Sequence, residues 1–394
     1  MKHKNIPKGY KDSPLGIIPK EWEVKKLGEI CDKITDGTHG TPQKQNSGKP
    51  FLTAIHIKDG WIDYDNCYYL TEKDHAEIYK RCNPQFGDIL MVNIGAGVCS
   101  VAMNRVNYEF SLKNVALLKP NLHFCTGKYL EYILLYRKKI IISSLLNGGA
   151  QPFLGLEDIS KIKIIVPPIK EQKKIAELLN TWDEAIEKQT KLIDILSRRK
   201  RGLMQQLLTK KKRLPNFTKK WEKVKLGEIS TIKKGKALTE SEIADGIYPV
   251  IAGGKTSPYN HYNFTDENVV TISASGAYAG FVSYHNYKIW ASDCSVIKSI
   301  NKVSNIHYLY QLLSFHQNYI YTFQSGGAQP HIFPKDISKL SFYIPTVDEQ
   351  EIIAKILSNN DHLISLARQC LDVMLIQKRG LMQQLLTGKK RIKT

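Results

Sequence analysis

Four stretches of the chain carry residue types at spacings that catalysis uses, and each lacks a required member. Asn83-Pro84-Gln85-Phe86 approaches the Asn-Pro-Pro-Phe signature of adenine N6 methyltransferases, but Gln85 replaces the second proline and no glycine-rich cofactor loop precedes it. Gly254-Lys255-Thr256 ends like a phosphate-binding loop, yet Pro249 stands where the upstream glycine is needed. Gly95-Ala96-Gly97 is followed by Ser100 in place of a third glycine, so a dinucleotide turn is not expected. His75-Ala76-Glu77 has the spacing of zinc deaminases without the Pro-Cys-x-x-Cys that completes the site. The eleven histidines form no ligand cluster, and the seven cysteines, Cys31, Cys67, Cys82, Cys99, Cys125, Cys294 and Cys370, contain no Cys-x-x-Cys pair. With no nucleophile, metal site or cofactor loop in view, the expectation is a binding protein with no cofactor or metal of its own.

The loops instead offer the amide, hydroxyl and cationic groups that read base edges. In the first half these are Thr38, His39, Lys44, Asn93, Lys113, Asn114 and Gln151; in the second they are Lys255, Ser273, Ser275, Tyr278, Gln329 and His331. Any one of them alone is more often an ordinary polar loop residue. The net charge of +20 points to a polyanionic partner. Fifteen Lys+Arg against six Asp+Glu give residues 169–220 a net +9, nearly half the excess. Nucleic acid is favoured over an anionic membrane because no lipidation signal accompanies the charge. The runs Arg198-Arg199-Lys200-Arg201, Lys210–Arg213 and Lys389-Lys390-Arg391 are candidates for salt-sensitive phosphate contacts.

An internal repeat organises the elements that must position these groups. Lys-Arg-Gly-Leu-Met-Gln-Gln-Leu-Leu-Thr occurs at Lys200–Thr209 and again at Lys378–Thr387, an offset of 178. The same offset aligns Gly148–Pro152 with Gly326–Pro330, Asp158–Lys161 with Asp336–Lys339, and Glu171-Gln172 with Glu349-Gln350. Upstream, Trp22-Glu23 and Leu27–Ile30 match Trp221-Glu222 and Leu226–Ile229 at an offset of 199. Five segments follow: an arm over 1–21, mixed domains over 22–168 and 214–345, a central helical region over 169–213, and a helical region with a basic tail over 346–394.

Heptad-spaced apolar residues mark each helical region: Ile175, Leu179, Trp182, Ile186, Ile193, Leu196, Leu203 and Leu207 in the first, and Ile353, Leu357, Ile364, Ala367, Leu371, Met374, Leu381 and Leu385 in the second. A helix over Ile169–Leu208 would be roughly 60 Å long. Neither helix can cover its own seam, so the two are expected to pair as an antiparallel coiled coil separating two mixed α/β domains, an α+β fold with pseudo-twofold repetition. Gln189 and Asn360 at a positions, with Lys200 and Lys378 at d, would specify register; the lysines could equally mark frayed ends. Thr346 and Glu349 have capping-box spacing. Within the mixed domains, Ile89–Val92 and Val269–Ile272 read as strands and Tyr129–Leu146 and Ile306–Phe323 as helices. No apolar run approaches the ~20 residues of a membrane span, and no signal peptide is visible, so a cytoplasmic protein without membrane contact is expected.

The tandem Trp-Glu-x-x-x-Leu-Gly-Glu-Ile openings, the Gly-Gly-Ala-Gln-Pro…Asp-Ile-Ser-Lys…Glu-Gln passage into each long helix and the doubled Arg-Gly-Leu-Met-Gln-Gln-Leu-Leu-Thr exit resemble the specificity subunit of type I restriction-modification systems. The resemblance spans the whole chain. It implies two target recognition domains that read the halves of a bipartite, asymmetric DNA sequence, and conserved helices clasped by two modification subunits. S-adenosylmethionine would reside on those subunits, which methylate adenine, while ATP and Mg would serve restriction and translocase subunits. The competing reading is a stand-alone nucleic-acid-binding regulator with two reading domains, which would bind its sequence tightly without partners.

Overall fold

The computed structural model describes residues 6–95, 97–145, 153–239, 242, 245–254 and 259–392. The chain divides into two compact units, Met1–Lys188 with Leu371–Thr394, and Gln189–Cys370. The two long helices, Ile169–Leu207 and Val347–Leu385, each contain 39 residues and contribute one stretch to each unit. The remainder of each unit is a mixed α+β head.

The first head is built on an antiparallel sheet in the order Val101–Met103, Ile89–Val92, Val115–Pro120, Cys31–Asp36. Its central strand lacks polar alternation because both faces are covered. Ile89 and Met91 pack with Ala116, Leu118, Tyr129 and Ile133, whereas Leu90 and Val92 pack with Leu117, Leu52 and Phe110. The helix Gly127–Leu145 supplies the first of these layers, and a smaller sheet of Ser111–Lys113, Lys49–Thr53 and Tyr68–Leu70 supplies part of the second.

The second head repeats this order with Val282–His285, Val269–Ser273, Cys294–Ser299 and Ser230–Lys234. Val270 and Ile272 join one core with Ile297 and Leu309, while Val269 joins another with Val296 and Ile289. The helix expected over Ile306–Phe323 is interrupted: Ile306–Phe315 ends at His316 and a short helix, Gln317–Tyr321, follows. The break turns Gln317 onto the sheet, where its amide accepts from Val282 N–H at 3.0 Å and donates to the Gly280 carbonyl at 2.7 Å.

Each head is bolted to the start of a long helix by a buried glutamine. The Gln172 side chain accepts from Thr126 N–H and donates to the carbonyls of Phe124 and Pro167. Gln350 does the same with Asn305 N–H and the carbonyls of Val303 and Pro345. A buried amide is stable only when its polar atoms are partnered, which ties the identity of these residues to the seat.

Within each unit the two helix stretches run antiparallel. In the first, Glu171 meets Arg391 and Asp183 meets Lys378, so partners descend as the first helix ascends. Ile175 and Leu179 are buried there in one core with Leu385, and half-buried Leu381 packs against it. In the second, Gln189 donates to the Ala367 carbonyl at 2.8 Å, Lys200 pairs with Asp361 at 2.6 Å, and Arg213 pairs with Glu349 at 2.8 Å. Leu207 shares a core there with Ile353 and Leu357, joined by half-buried Leu203. Ile364 and Ala367 are buried, while Trp182, Ile186, Ile193, Leu196, Leu371 and Met374 are half-buried. Lys200 and Lys378 thus hold register and are not frayed ends. Glu349 departs from its capping-box expectation in that its carboxylate accepts from Arg213 Nε and a terminal guanidinium nitrogen.

Candidate nucleic-acid interface

The pairing register gathers the polar loops of each head at one end of its sheet. In the first head Val92 pairs with Val115 and Asp36 with Ala116, so the segments following Val92 and Asp36 and the one preceding Val115 emerge together. In the second, Ser273 pairs with Cys294 and Lys234 with Ser295, which brings together the corresponding three segments. The close approach is reserved for glycine: a Cβ on Gly37 would lie 2.0 Å from the Leu112 carbonyl oxygen, and one on Gly235 would lie 2.1 Å from that of Ser292.

At the first edge, Asp36 carries a carboxylate with only 5% of its side chain exposed. It accepts from Arg81 at 2.5 Å and from His39 Nε2 at 2.7 Å. His39 Nδ1 lies 3.3 Å from the Asn114 side-chain oxygen, and Lys113 donates to the Thr41 hydroxyl. Thr38 N–H donates to the Leu112 carbonyl, and Asn114 N–H donates to that of Thr38. The structure therefore brings Thr38, His39, Lys113 and Asn114 together. Lys44 sits elsewhere, its ammonium 3.2 Å from the centroid of the Tyr68 ring in the smaller sheet.

Two assignments need correction. Asn93 and Ser273 were expected at the DNA surface, but they are 1% and 5% exposed. Asn93 follows the strand Ile89–Val92 and Ser273 ends Val269–Ser273, and each lies beneath a returning segment: the Asn93 carbonyl accepts from Leu154 N–H, and Ser273 exchanges backbone bonds with Phe281 and Gly280. Gln151 and Lys255 fall outside the described residues.

At the second edge the chemistry differs. The Ser275 hydroxyl donates to Asp293, and the Ser275 backbone bridges to His331, whose ring stacks at 15° to that of Phe333. Gln329 and Tyr278 are exposed. Arg81, Asp293 and Phe333 were absent from the candidates proposed for the sequence. Arg81 meets Asp36 across 45 residues, so no local motif announces it.

The basic runs are also not uniform. Lys200, Arg213 and Arg391 are committed to Asp361, Glu349 and Glu171, Arg198 pairs with Asp194, and Lys210 lies 3.8 Å from the centroid of the Tyr343 ring. Arg199, Arg201, Lys211, Lys212, Lys389 and Lys390 are the exposed cations that remain. Burial pushes the Cys31 and Cys294 thiols up to about 12 and those of Cys82 and Cys99 up to about 11, which suits inert core residues and not nucleophiles. Among the described residues no group of three or more His, Cys, Asp or Glu is placed to hold a metal, and no helix is long and apolar enough to cross a membrane.

Two similar heads, each seated on paired helix segments and each carrying its own polar edge, define a duplicated α+β architecture. The model of the type I restriction modification DNA specificity domain matches twice, over residues 19–196 and 218–373. The chain belongs to this family: it is a type I specificity subunit, the recognition component and not a catalyst. It is 28% identical, over 98% of its length and 97% of the relative's, to a Methanocaldococcus jannaschii protein that bears the name of specificity subunit of the type I restriction enzyme MjaX. The specificity subunit of the type I restriction enzyme MjaVIII, from the same organism, is 24% identical over 95% of this chain and 94% of the relative. The crystal structure of a type I restriction-modification S subunit from M. genitalium superposes with a TM-score of 0.68 at 18% identity, covering 93% of this chain and 96% of the other, a likeness of fold.

Proposed function

We propose that this chain reads a bipartite, asymmetric DNA sequence, one half with each head, and positions two modification subunits that methylate an adenine in each half. The observation carrying this reading is a repeated frame with unrepeated edges. Both heads have the same strand order and the same glutamine seat, yet one edge is built on Asp36, His39 and Arg81 and the other on Ser275, Asp293 and His331. Two equal frames presenting unequal polar groups suit two unequal half-sites. The exposed cations at the ends of the long helices add a sequence-independent phosphate term.

Exposed apolar side chains on the helix stretches of each unit supply a surface for a modification subunit. Leu192, Ile195, Leu366, Val373, Leu375 and Ile376 are 43–67% exposed, more apolar surface than a helix in water gains from showing. S-adenosylmethionine belongs to those subunits, while ATP and Mg belong to the restriction and translocase subunits. The complex acts in the cytoplasm, where its DNA lies.

Co-expression of the chain with its modification subunits, followed by sequencing of methylated adenines on genomic DNA, tests the reading. The expected result is one asymmetric motif of two specified halves around an unspecified spacer, absent when this chain is omitted. A single undivided motif, or methylation independent of the chain, would overturn it. Tight sequence-specific binding by the chain alone, with no gain on adding modification subunits, would favour a stand-alone regulator instead.

A further inference from the structure

The Asp36 cluster is more than a polar loop. A buried carboxylate is costly unless its oxygens are occupied, and here both are occupied by side chains that remain half in solvent: Arg81 is 53% exposed and His39 is 48% exposed. Asp36 can only accept, so it takes one N–H from each donor; His39 Nδ1 faces Asn114, and the remaining guanidinium N–H groups of Arg81 are left for a base. The supporting backbone is tied at several points. Gly37 N–H donates to the Val115 carbonyl, Thr38 and Asn114 are bonded to the opposing segment, and Gly40 N–H donates to the Thr38 hydroxyl. Asn114 itself holds a left-handed backbone, φ 56°, which turns the chain into the strand and leaves its side-chain oxygen 3.3 Å from His39.

Arg81 comes from a different element, the last turn of the helix Glu72–Cys82, and Lys33 donates to its carbonyl. A guanidinium tethered to a buried carboxylate through one terminal nitrogen keeps its remaining N–H groups to offer as paired donors. That is the geometry that matches the O6 and N7 acceptors of guanine in the major groove, the commonest specific arginine contact to DNA. A lysine in the same place would keep the charge but lose the paired donors. Because Arg81 is anchored before DNA arrives, less side-chain freedom is lost on contact.

Resting on the assignment of the heads as DNA readers, we infer that Arg81 is the guanine-reading residue of the first head, with Asp36 as its positioning residue and His39 and Asn114 flanking the same base step. Among the described residues the second head shows no counterpart: its edge carries Asp293 bonded to Ser275, with His331 and Phe333 alongside. The contact made by Arg81 therefore belongs to the first half-site.

The test uses the full complex of this chain with its modification subunits and a library of DNA substrates varied at every position of the motif. In Arg81→Lys, Arg81→Ala and Asp36→Asn, discrimination for guanine should fall about ten- to hundredfold at one position of the first half-site. The second half-site should be unchanged. Arg81→Lys keeps the charge, so relaxed base choice with methylation of the best substrate largely retained separates base reading from a phosphate contact. Asp36→Asn should relax the same position with Arg81 still present, an effect that loss of fold would not produce. Unaltered preference at every position in folded Arg81→Lys and Arg81→Ala complexes would overturn the inference, as would uniform weakening across all sequences. If the wild-type complex shows no sequence preference, the DNA-reading assignment falls and takes this inference with it. A wild-type motif that survives intact in all three variants removes only the role given to Arg81.

Discussion

The base and the edge of the two heads follow opposite rules. At the base, contacts repeat at the 178-residue offset: Glu171 with Arg391 and Glu349 with Arg213, Asp183 with Lys378 and Asp361 with Lys200, Gln172 and Gln350 in matching backbone sockets. At the edge the strand order, the close glycine approach and the bond of the returning segment repeat, but the described polar side chains do not: Asp36, His39 and Arg81 stand in one head, Ser275, Asp293 and His331 in the other. Duplication thus preserves what seats a head on its helices, while the solvent-facing end of the sheet is free to differ. Variants at equivalent positions should behave alike at the base and differently elsewhere, and departures from that rule locate where the copies have diverged.

The largest effect is expected at the base. Glu171, with 1% of its side chain exposed, accepts from Arg391 Nε at 2.7 Å and from Trp22 Nε1 at 3.0 Å. Glu171→Ala should cost about 3–4 kcal/mol, because it strands a buried indole N–H as well as breaking the ion pair. Glu349 holds Arg213 in the same way, but the Trp221 indole nitrogen makes no hydrogen bond. Glu349→Ala should therefore be milder by about 1 kcal/mol, the worth of one hydrogen bond. Guanidinium unfolding of the two variants measures the difference, and equal losses would mean that the Trp22 bond adds nothing.

This contrast also shows how far the sequence could be read. The doubled Glu-Gln and Lys-Arg-Gly-Leu-Met-Gln-Gln-Leu-Leu-Thr segments were visible because each is local and repeats in register, and helical periodicity then exposed the seam. Strand runs such as Ile89–Val92 were legible because burial on both faces removes polar alternation. The edges were not legible in the same way. Whether Asn93 faces solvent depends on a returning segment some 60 residues later, and whether Arg81 matters depends on Asp36, 45 residues earlier. Periodicity within one element carries no information about either. Arg213 and Arg391 looked like DNA-binding cations because a charge run does not reveal its counterions.

The next effect separates the heads by pH. Strand pairing makes His285 of the second head equivalent to Asn104 of the first: Tyr284 and Met103 lie opposite Val270 and Ile89, and each next residue enters the buried edge. Burial pushes His285 down to about 4, and Thr271 Oγ1 lies 2.8 Å from its Nε2. Between an unfolded value near 6.5 and the folded value, the unfolded chain binds a proton that the native head does not. Stability contributed by neutral His285 is thus present above that window and lost as the pH falls through it. Between pH 7.5 and 5 the loss should be about 2 kcal/mol. His285→Asn, which installs the residue of the first head, should abolish that share of the pH dependence. An unchanged slope of unfolding free energy against pH would show that His285 is solvated in the native state.

The smallest effect tests whether a single turn obeys the rule of the base. Both long helices exit through the same bond, Lys212 N–H to the Gln206 carbonyl and Lys390 N–H to that of Gln384, and both require a left-handed residue just before it. In one copy this is Gly388, φ 73°; in the other it is Lys210, φ 62°. A Cβ on Gly388 would lie 2.4 Å from Pro19, so Gly388→Ala combines backbone strain with a clash and should cost about 2 kcal/mol. Lys210 has room, and its ammonium lies over the rings of Tyr343 and Trp221. Lys210→Gly would relieve about 1 kcal/mol of left-handed strain, but it would add unfolded-chain entropy and remove cation–π contacts worth about half that each. These terms nearly cancel, so thermal unfolding should place Lys210→Gly within about 0.5 kcal/mol of the parent. A gain above 1 kcal/mol would mean that the ring contacts are not made in solution, and that the turn in this copy is strained without compensation.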